Sequence, residues 1–512
     1  MIDKSRVPVI VGAHQITDTL TPPDTARGPK ALLVDAVRGA ATDCGAPEIL
    51  REVDHLTVVR LFSDTLPRFA SPFGRMNNPP WSVANAIGAT PREMRYTTAG
   101  GHTPQTVVSH FCREISEGRS ACAVLVGAEA LRTQLAAIRA GLELDWAEEA
   151  PDEPESFGIE RASFSELEDK YGLNAAIYGY PIIEQAIRQD RGLSMDQHQF
   201  GMGRLMARLA AVARDNPLAT RRWGPDAHEI STHSDKNPYV GFPYTKLMNS
   251  NVYVDQSAAL ILCSAELADR HGIAENKRVY LHGCAAGNDH WYVSERAELH
   301  RSPAIRGVVR RAMERAGVGV DDLSFFDIYS CFPSAVQIAS REIGLAEDDP
   351  RNVTVTGGLP FFGGPGNNFV THSIVQMVQQ LRATPGRYGL VTANGSYLAK
   401  HAAGVYSTRP LEHTDEVDGS EGLQAELDQI PKAPLTDKVE GPARIESYTL
   451  AVGRNGPTAS IILGRLVRDD RRFIANTQPD PSLLLRMMQN DYVGATGAVR
   501  VVDGKCRFFP GG

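Results

Sequence analysis

At 512 residues, 42% of them hydrophobic and 22% charged, the chain is too long for one ordinary domain and too apolar to be disordered. No run approaches the roughly 18 apolar residues of a membrane helix, and Met1–Pro8 leads straight into Val9-Ile-Val-Gly12 with no signal or transit pattern, so a cytoplasmic protein without membrane attachment is expected. The formal charge of −8 is uneven: residues 441–512 hold ten Arg and Lys against six Asp and Glu, net +4, leaving −12 on residues 1–440, which places a boundary near 440 and disfavours a nucleic-acid partner.

The first 130 residues alternate short β-rich runs with amphipathic helices. Val7–Gly12, His55–Leu61, Met94–Thr98 and Ala121–Val126 read as strands, while Lys30–Cys44, Trp81–Ile87 and residues 103–116 carry apolar side chains at helical spacing. The alternation predicts a mixed or parallel sheet with helices on its faces. Residues 132–250 break the rhythm. The acidic, Pro-containing stretch Leu142–Phe157 predicts a solvated loop, and helices near Ala175–Gln189 and Ser194–Arg214 follow, together an insertion suited to a helical lid. Strand Gln256–Ser264 and short helix Ala265–His271 close this half.

From Arg278 the rhythm restarts: strand 278–283, helix 303–316, strand 325–329, helix 333–343, glycine loop 357–366, helix 368–382, and strands 388–393 and 403–407. In both halves a glycine-rich loop opens a helix that leads to a strand and a small-residue turn. The first runs from Gly100-Gly101-His102-Thr103-Pro104 to Val126-Gly127, the second from Gly363-Gly364-Pro365-Gly366 to Asn394-Gly395. A duplicated βα unit accounts for both.

Arg409–Ile430 is acidic (Glu412, Asp415, Glu416, Asp418, Glu421, Glu426, Asp428) and reads as part of a linker. Beyond it, Ala443–Val452, Thr458–Arg468, Arg471–Thr477, Ala498–Val502 and Lys505–Phe509 read as strands and Pro481–Asn490 as a helix, the pattern of a small OB-type barrel. Arg465, Arg468, Arg471 and Arg472 form either a phosphate or nucleic-acid face or a solvated turn balanced by Asp469 and Asp470. Seven scattered cysteines (Cys44, Cys112, Cys122, Cys263, Cys284, Cys331, Cys506) without CxxC spacing predict neither disulfides nor a zinc site.

The stretch Thr356-Gly-Gly-Leu-Pro-Phe-Phe-Gly-Gly-Pro-Gly-Asn-Asn368, together with the paired glycine loops, resembles the thiolase superfamily over about residues 5–410. It is most similar to the SCP-x (sterol-carrier-type) thiolases and the thiolase-like proteins of type 1. The resemblance implies an α/β fold of two βαβαβαββ halves in an α-β-α-β-α arrangement, with a small C-terminal OB-like barrel added. The expected divisions are 1–275 with the insertion at about 132–250, 276–410, an acidic linker 411–440, and 441–512. It also implies CoA or an acyl-CoA as ligand, no tightly bound cofactor and no metal. A homodimer is the family default, with a monomer open because of the added domain. Gly441-Pro-Ala-Arg-Ile-Glu-Ser-Tyr448-Thr and Gly453–Gly464 resemble the small OB-fold partners of such thiolases and lyases, fused here in cis.

Thiolase chemistry uses a nucleophilic cysteine, an activating histidine, a second cysteine that moves the α-proton, and an Asn or His that holds an oxyanion water. By resemblance these positions fall on Gly101, Gly364, Ala393 and Tyr329. Without the thiol, ordinary thiolysis or Claisen condensation is not expected. Tyr329 is the candidate acid/base group of an altered chemistry such as a retro-aldol lyase, as in SCP-x relatives that use tyrosines; otherwise it fills the space of a lost water. His102 is either a displaced base or a helix-starting histidine. Cys331 lies where the family has Ala or Cys and suits packing. Asn394 is a possible site-lining residue, and His401 either faces the site or lies at the surface with Lys400. Three functions compete: an altered acyl-CoA enzyme, a non-catalytic acyl-CoA carrier or scaffold, and, far less supported, an OB-driven nucleic-acid binder.

Overall fold

β-Branched and apolar runs become strands in the computed structural model, which describes residues 3–412 and 417–511. Asp415 and Glu416 of the acidic stretch lie outside the described residues. The first half contributes β1 (Pro8–Asp18), β2 (His55–Val58), β3 (Glu93–Thr97), β4 (Cys122–Ala130) and β5 (Glu155–Phe157). Short β6 (Tyr239–Gly241) and β7 (Tyr244–Thr245) precede β8 (Asp255–Ser264). One sheet runs β1-β8-β4-β2-β3-β5. The second half gives β9 (Tyr280–Asn288), β10 (Leu323–Asp327), β11 (Tyr388–Gly395) and β12 (Lys400–Ser407), in the order β10-β11-β12-β9.

The two sheets repeat one topology. β2-β4-β8-β1 corresponds to β10-β11-β12-β9, with the first pair parallel and the next two antiparallel in each. Helices Thr103–Ser116 and Phe369–Ala383 lie side by side between the sheets and touch strands of both. Pro29–Cys44 covers the outer face of the first sheet and Pro303–Ala316 that of the second. β4 and β8 are therefore buried along their whole length, as strands covered on both faces must be.

Two readings need correction. Leu142–Phe157 is not simply a solvated loop: it supplies β5, which covers the edge of β3 with Arg95 paired to Glu155 at 3.4 Å. Three residues are too few to show strand alternation, and their pairing is non-local. The stretch read as a linker is docked, with a short helix Leu423–Leu427 that buries both leucines against the Gly287 and Gly307 backbones. Helix Leu131–Ala140 was not anticipated.

The C-terminal β-rich domain comprises β13 (Gly441–Gly453), β14 (Gly456–Leu466), β15 (Arg472–Ala475), β16 (Thr496–Val502) and β17 (Lys505–Pro510), with helix Pro481–Gln489 between β15 and β16. Its order is β15-β14-β13-β16-β17. It is built onto the insertion: β6 pairs with β13 at Gly241 and Ala451, and Ser447 Oγ donates to the Ile182 carbonyl at 2.7 Å. The Arg188 guanidinium grips the Asp491 carboxylate at 2.8 and 2.6 Å.

The four arginines divide. Arg468 and Arg471 are solvated and pair with Asp469. Arg472 is fully buried, and its guanidinium meets both Glu446 oxygens at 2.7 Å and the carbonyls of Ser294, Arg296 and Ala297. A strand-end arginine in sequence is thus an internal clamp in space. Among the described residues no helix is long and apolar enough to cross a membrane.

Candidate functional site

The two central helices start beside each other because both glycine loops reach the same seam. Gly100 N–H donates to Asn367 Oδ1 at 2.9 Å, and Asn367 Nδ2 donates back to the Arg60 carbonyl at 2.9 Å. Pro104 sits in the first turn of its helix, where a missing N–H costs nothing.

Gly101 faces Tyr329. A Cβ at residue 101 would stand against the Tyr329 hydroxyl and 2.7 Å from the Asn394 carbonyl oxygen. A side chain at 101 and the phenol at 329 therefore compete for one volume. Gly101→Cys is expected to destabilise the protein by about 1–3 kcal/mol through overpacking. In a Tyr329→Ala background that cost should fall by about 1 kcal/mol or more. A thermal-denaturation double-mutant cycle checks this, and additive costs would contradict the competition.

Tyr329, Ala393, Asn394 and His401 line one small cavity of about 10 Å³, room for a single water. Ala335 and Leu398 belong to the same lining. The Tyr329 ring packs edge-on to Phe369 at 5.7 Å, and its hydroxyl makes no hydrogen bond among the described residues. Burial, then the neighbouring Cys331 thiol, pushes the phenol well above its usual 10, so near neutrality Tyr329 is a proton donor and not a base. Burial also pushes the Cys331 thiol up to about 12. Asn394 Nδ2 donates to Tyr180 Oη at 2.9 Å and lies 3.9 Å from Cys331 Sγ, while its Oδ1 has no partner among the described residues.

His102 is half-buried at the start of its helix, with Nδ1 also unpartnered. Burial, then the charges of Lys400 and His401, holds its pKa well below 6.5, so the ring is neutral. The surface alternative for Lys400 and His401 is overturned: each is 2% exposed. Lys400 Nζ donates to the Ala99 and Ile159 carbonyls at 3.1 and 3.2 Å and lies 4.9 Å from the Trp291 ring centre. His401 Nε2 lies 3.3 Å from the Asp289 carboxylate. Burial pushes Asp289 up, but His401, Arg296 and the Ser302 hydroxyl hold it below the usual range. Between these groups Ser396, Tyr397 and Leu398 all take left-handed φ angles (50°, 53° and 63°), a conformation costing about 1–2 kcal/mol per non-glycine residue. Arg296 Nη2 secures the turn at the Tyr397 carbonyl, 2.8 Å away.

Gly364 lies outside this cavity. A Cβ there would meet Ser250 Oγ. Nearby, Arg221 donates to the Pro360 carbonyl at 3.0 Å and Asn251 Oδ1 at 3.2 Å, with no carboxylate partner among the described residues. Tyr180, Asp289, Ser250 and Arg221 escaped sequence reasoning. None belongs to a repeated motif, and their roles arise only where the insertion and the two halves meet. Among the described residues no group of three or more His, Cys, Asp or Glu is placed to hold a metal, and all seven cysteines are buried free thiols.

Two sheets of repeated topology around a pair of central helices with glycine-rich starts define the thiolase fold. A monomeric SCP2-thiolase like protein type 1 from Mycobacterium smegmatis is 33% identical over all of both chains, with a TM-score of 0.85. The family description "Thiolase-like protein type 1 additional C-terminal domain" fits residues 422–505. The chain belongs to the thiolase superfamily, as an SCP2-thiolase-like protein of type 1 with the additional C-terminal domain. Shorter similarities reach a beta-ketoadipyl-CoA thiolase of Pseudomonas putida (32% identity, 28% of this chain, 34% of that one) and a probable acetyl-CoA acetyltransferase of Mycobacterium tuberculosis (28% identity, 25% and 30%). The chain spans about a third of the length of these curated relatives.

Proposed function

We propose that this chain binds CoA or an acyl-CoA and does not carry out conventional thiolysis or Claisen condensation. The observation that carries this reading is the Tyr329 hydroxyl occupying the space into which a side chain at residue 101 would project. With Gly101, Gly364 and Ala393 at the positions that resemblance gives to the reactive Cys, His and Cys, no activated thiol is at hand. Cys331, the nearest, is held protonated. Arg221, a cation beside the second glycine loop without a carboxylate partner among the described residues, suits an anionic ligand such as the CoA phosphates.

A second reading is an acyl-CoA retro-aldol lyase, favoured by the free hydroxyl of Tyr329 and the unpartnered Nδ1 of His102. There Tyr329 donates a proton to the developing enolate and neutral His102 accepts one from the substrate hydroxyl.

Titration with CoA and with short, long-chain and steroid-like acyl-CoAs tests binding; micromolar, acyl-dependent affinity is expected. Turnover of a 3-ketoacyl-CoA that one cysteine substitution abolishes would overturn the main reading. Lyase turnover unchanged by Tyr329→Phe would remove the second. The C-terminal domain, by the same reading, is an OB-type barrel. Its circuit β13-β14-β15-β17-β16 is joined between β15 and β17 by the parallel bridge Asn476–Arg507. The sheet edge at β3, covered by β5 from within the chain, supports a monomer.

A further inference from the structure

The insertion lays an exposed strap across a buried lysine. Residues 158–162 are exposed, whereas Lys400 and Trp291 beneath them are 2% and 7% exposed. Lys400 Nζ donates to the Ile159 carbonyl of the strap at 3.2 Å and to the Ala99 carbonyl at 3.1 Å, and it lies 4.9 Å from the Trp291 ring centre. Among the described residues no carboxylate forms an ion pair with it. Burial holds its pKa below the usual lysine range, with Glu160 opposing. A buried ammonium without a counter-ion is unfavourable, and an anion beside it relieves that.

We infer that residues 158–163 form a strap that lifts to admit an anionic group, and that Lys400 binds this group. The inference rests on the acyl-CoA function proposed above, whose ligands carry phosphates and, on some acyl groups, a terminal carboxylate. The strap is weakly tied. No backbone N–H of residues 158–163 donates a hydrogen bond among the described residues, so no backbone ladder breaks when it moves. Besides the Lys400 bond, Trp291 Nε1 donates to the Ala162 carbonyl at 2.8 Å and the Ser163 and Ser396 hydroxyls meet at 3.2 Å. The Arg161 guanidinium lies 5.0 and 4.9 Å from the Trp291 and Tyr292 ring centres. Firm anchors bound the strap on both sides. Thr98 N–H donates to the Phe157 carbonyl at 2.8 Å, and Glu168, in a capping box with Ser165, accepts from Ser294 N–H at 2.8 Å. Gly158, at φ 114°, supplies a hinge beside the first anchor. Lifting uncovers Lys400 beside the start of helix Thr103–Ser116. Its Cδ lies 3.8 Å from where a Gly100 Cβ would stand, and the helix N-terminus adds to the attraction for an anion.

Reductive methylation of the full-length protein, followed by peptide mass spectrometry, tests both halves of the inference. The double variant Arg161→Ala/Ser163→Ala removes two strap contacts and leaves Lys400 and its surroundings in place. Lys400 should then methylate at least fivefold faster than in the parent, with the other lysines at parental rates. Equal Lys400 rates in parent and variant would overturn the strap. Should all lysines react faster together, Arg161→Ala alone is read by the same criterion. CoA, acetyl-CoA and adipyl-CoA are then added to the variant. Protection of Lys400 by all three assigns its anion to the CoA phosphates, and protection by adipyl-CoA alone assigns it to the acyl carboxylate. Calorimetric binding of these probes with no protection would overturn the role of Lys400. If none of the three binds, the acyl-CoA function falls. Inorganic phosphate is then the probe: protection of Lys400 keeps the anion site, and its absence removes it.

Discussion

Arg472→Ala is expected to lower the free energy of unfolding by about 3–5 kcal/mol, the cost of breaking a buried ion pair from one side. The loss is large because one guanidinium serves two domains. It meets Glu446 on β13 through both oxygens and satisfies carbonyls at 294, 296 and 297 in the second thiolase half. Among the described residues, removing it leaves those carbonyls without a side-chain donor, and Glu446 keeps only Arg465, at 3.0 Å. Arg472→Lys should rescue little, because an ammonium cannot reproduce the planar fork. Arg471→Ala, its exposed neighbour, should stay within about 0.5 kcal/mol of the parent. Urea denaturation of the three variants checks the set; similar midpoints for Arg472→Ala and Arg471→Ala would contradict the clamp.

Glu129→Gln should make the protein more stable at pH 8.5 and flatten its stability between pH 5 and 8. Glu129 lies on β4 with its carboxylate buried beside Gly366 of the second glycine loop, and Phe62 N–H donates to it at 2.7 Å. Burial, reinforced by Asp64 and only partly opposed by the Phe62 bond, pushes its pKa up to about 8. The unfolded value is about 4.3, so the native state binds the extra proton. The stabilisation from that proton is fully present below the unfolded pKa and is lost as pH rises through the folded one, a difference on the order of 5 kcal/mol. Gln keeps the shape and has no proton to lose. Scanning calorimetry of parent and variant from pH 5 to 9 should give curves that converge in acid and separate in base. Parallel curves would show that native Glu129 is already ionised across this range, as it is in the unfolded chain, and would contradict the raised pKa.

How much of this was legible beforehand follows from where each signal resides. Helices 103–116, 303–316 and 333–343 were placed to the residue because apolar spacing and flanking Pro and Gly are local. The duplicated topology followed from the two glycine loops. β5 was missed because its only support is the edge of β3, and Leu423–Leu427 because acidic neighbours mask two leucines that find their partners more than a hundred residues away.

The site divides in the same way. Sequence by itself determined the residue types at Gly101, Gly364, Ala393 and Tyr329, and with them the chemical groups available. Tertiary structure decided what those types mean. It set Tyr329 against Gly101, buried His401 on Asp289, brought Tyr180 across from the insertion, and turned Arg472 from a hairpin charge into a clamp. Each of these depends on contacts between segments far apart in the chain, where burial and distance set the energy and no local pattern records them.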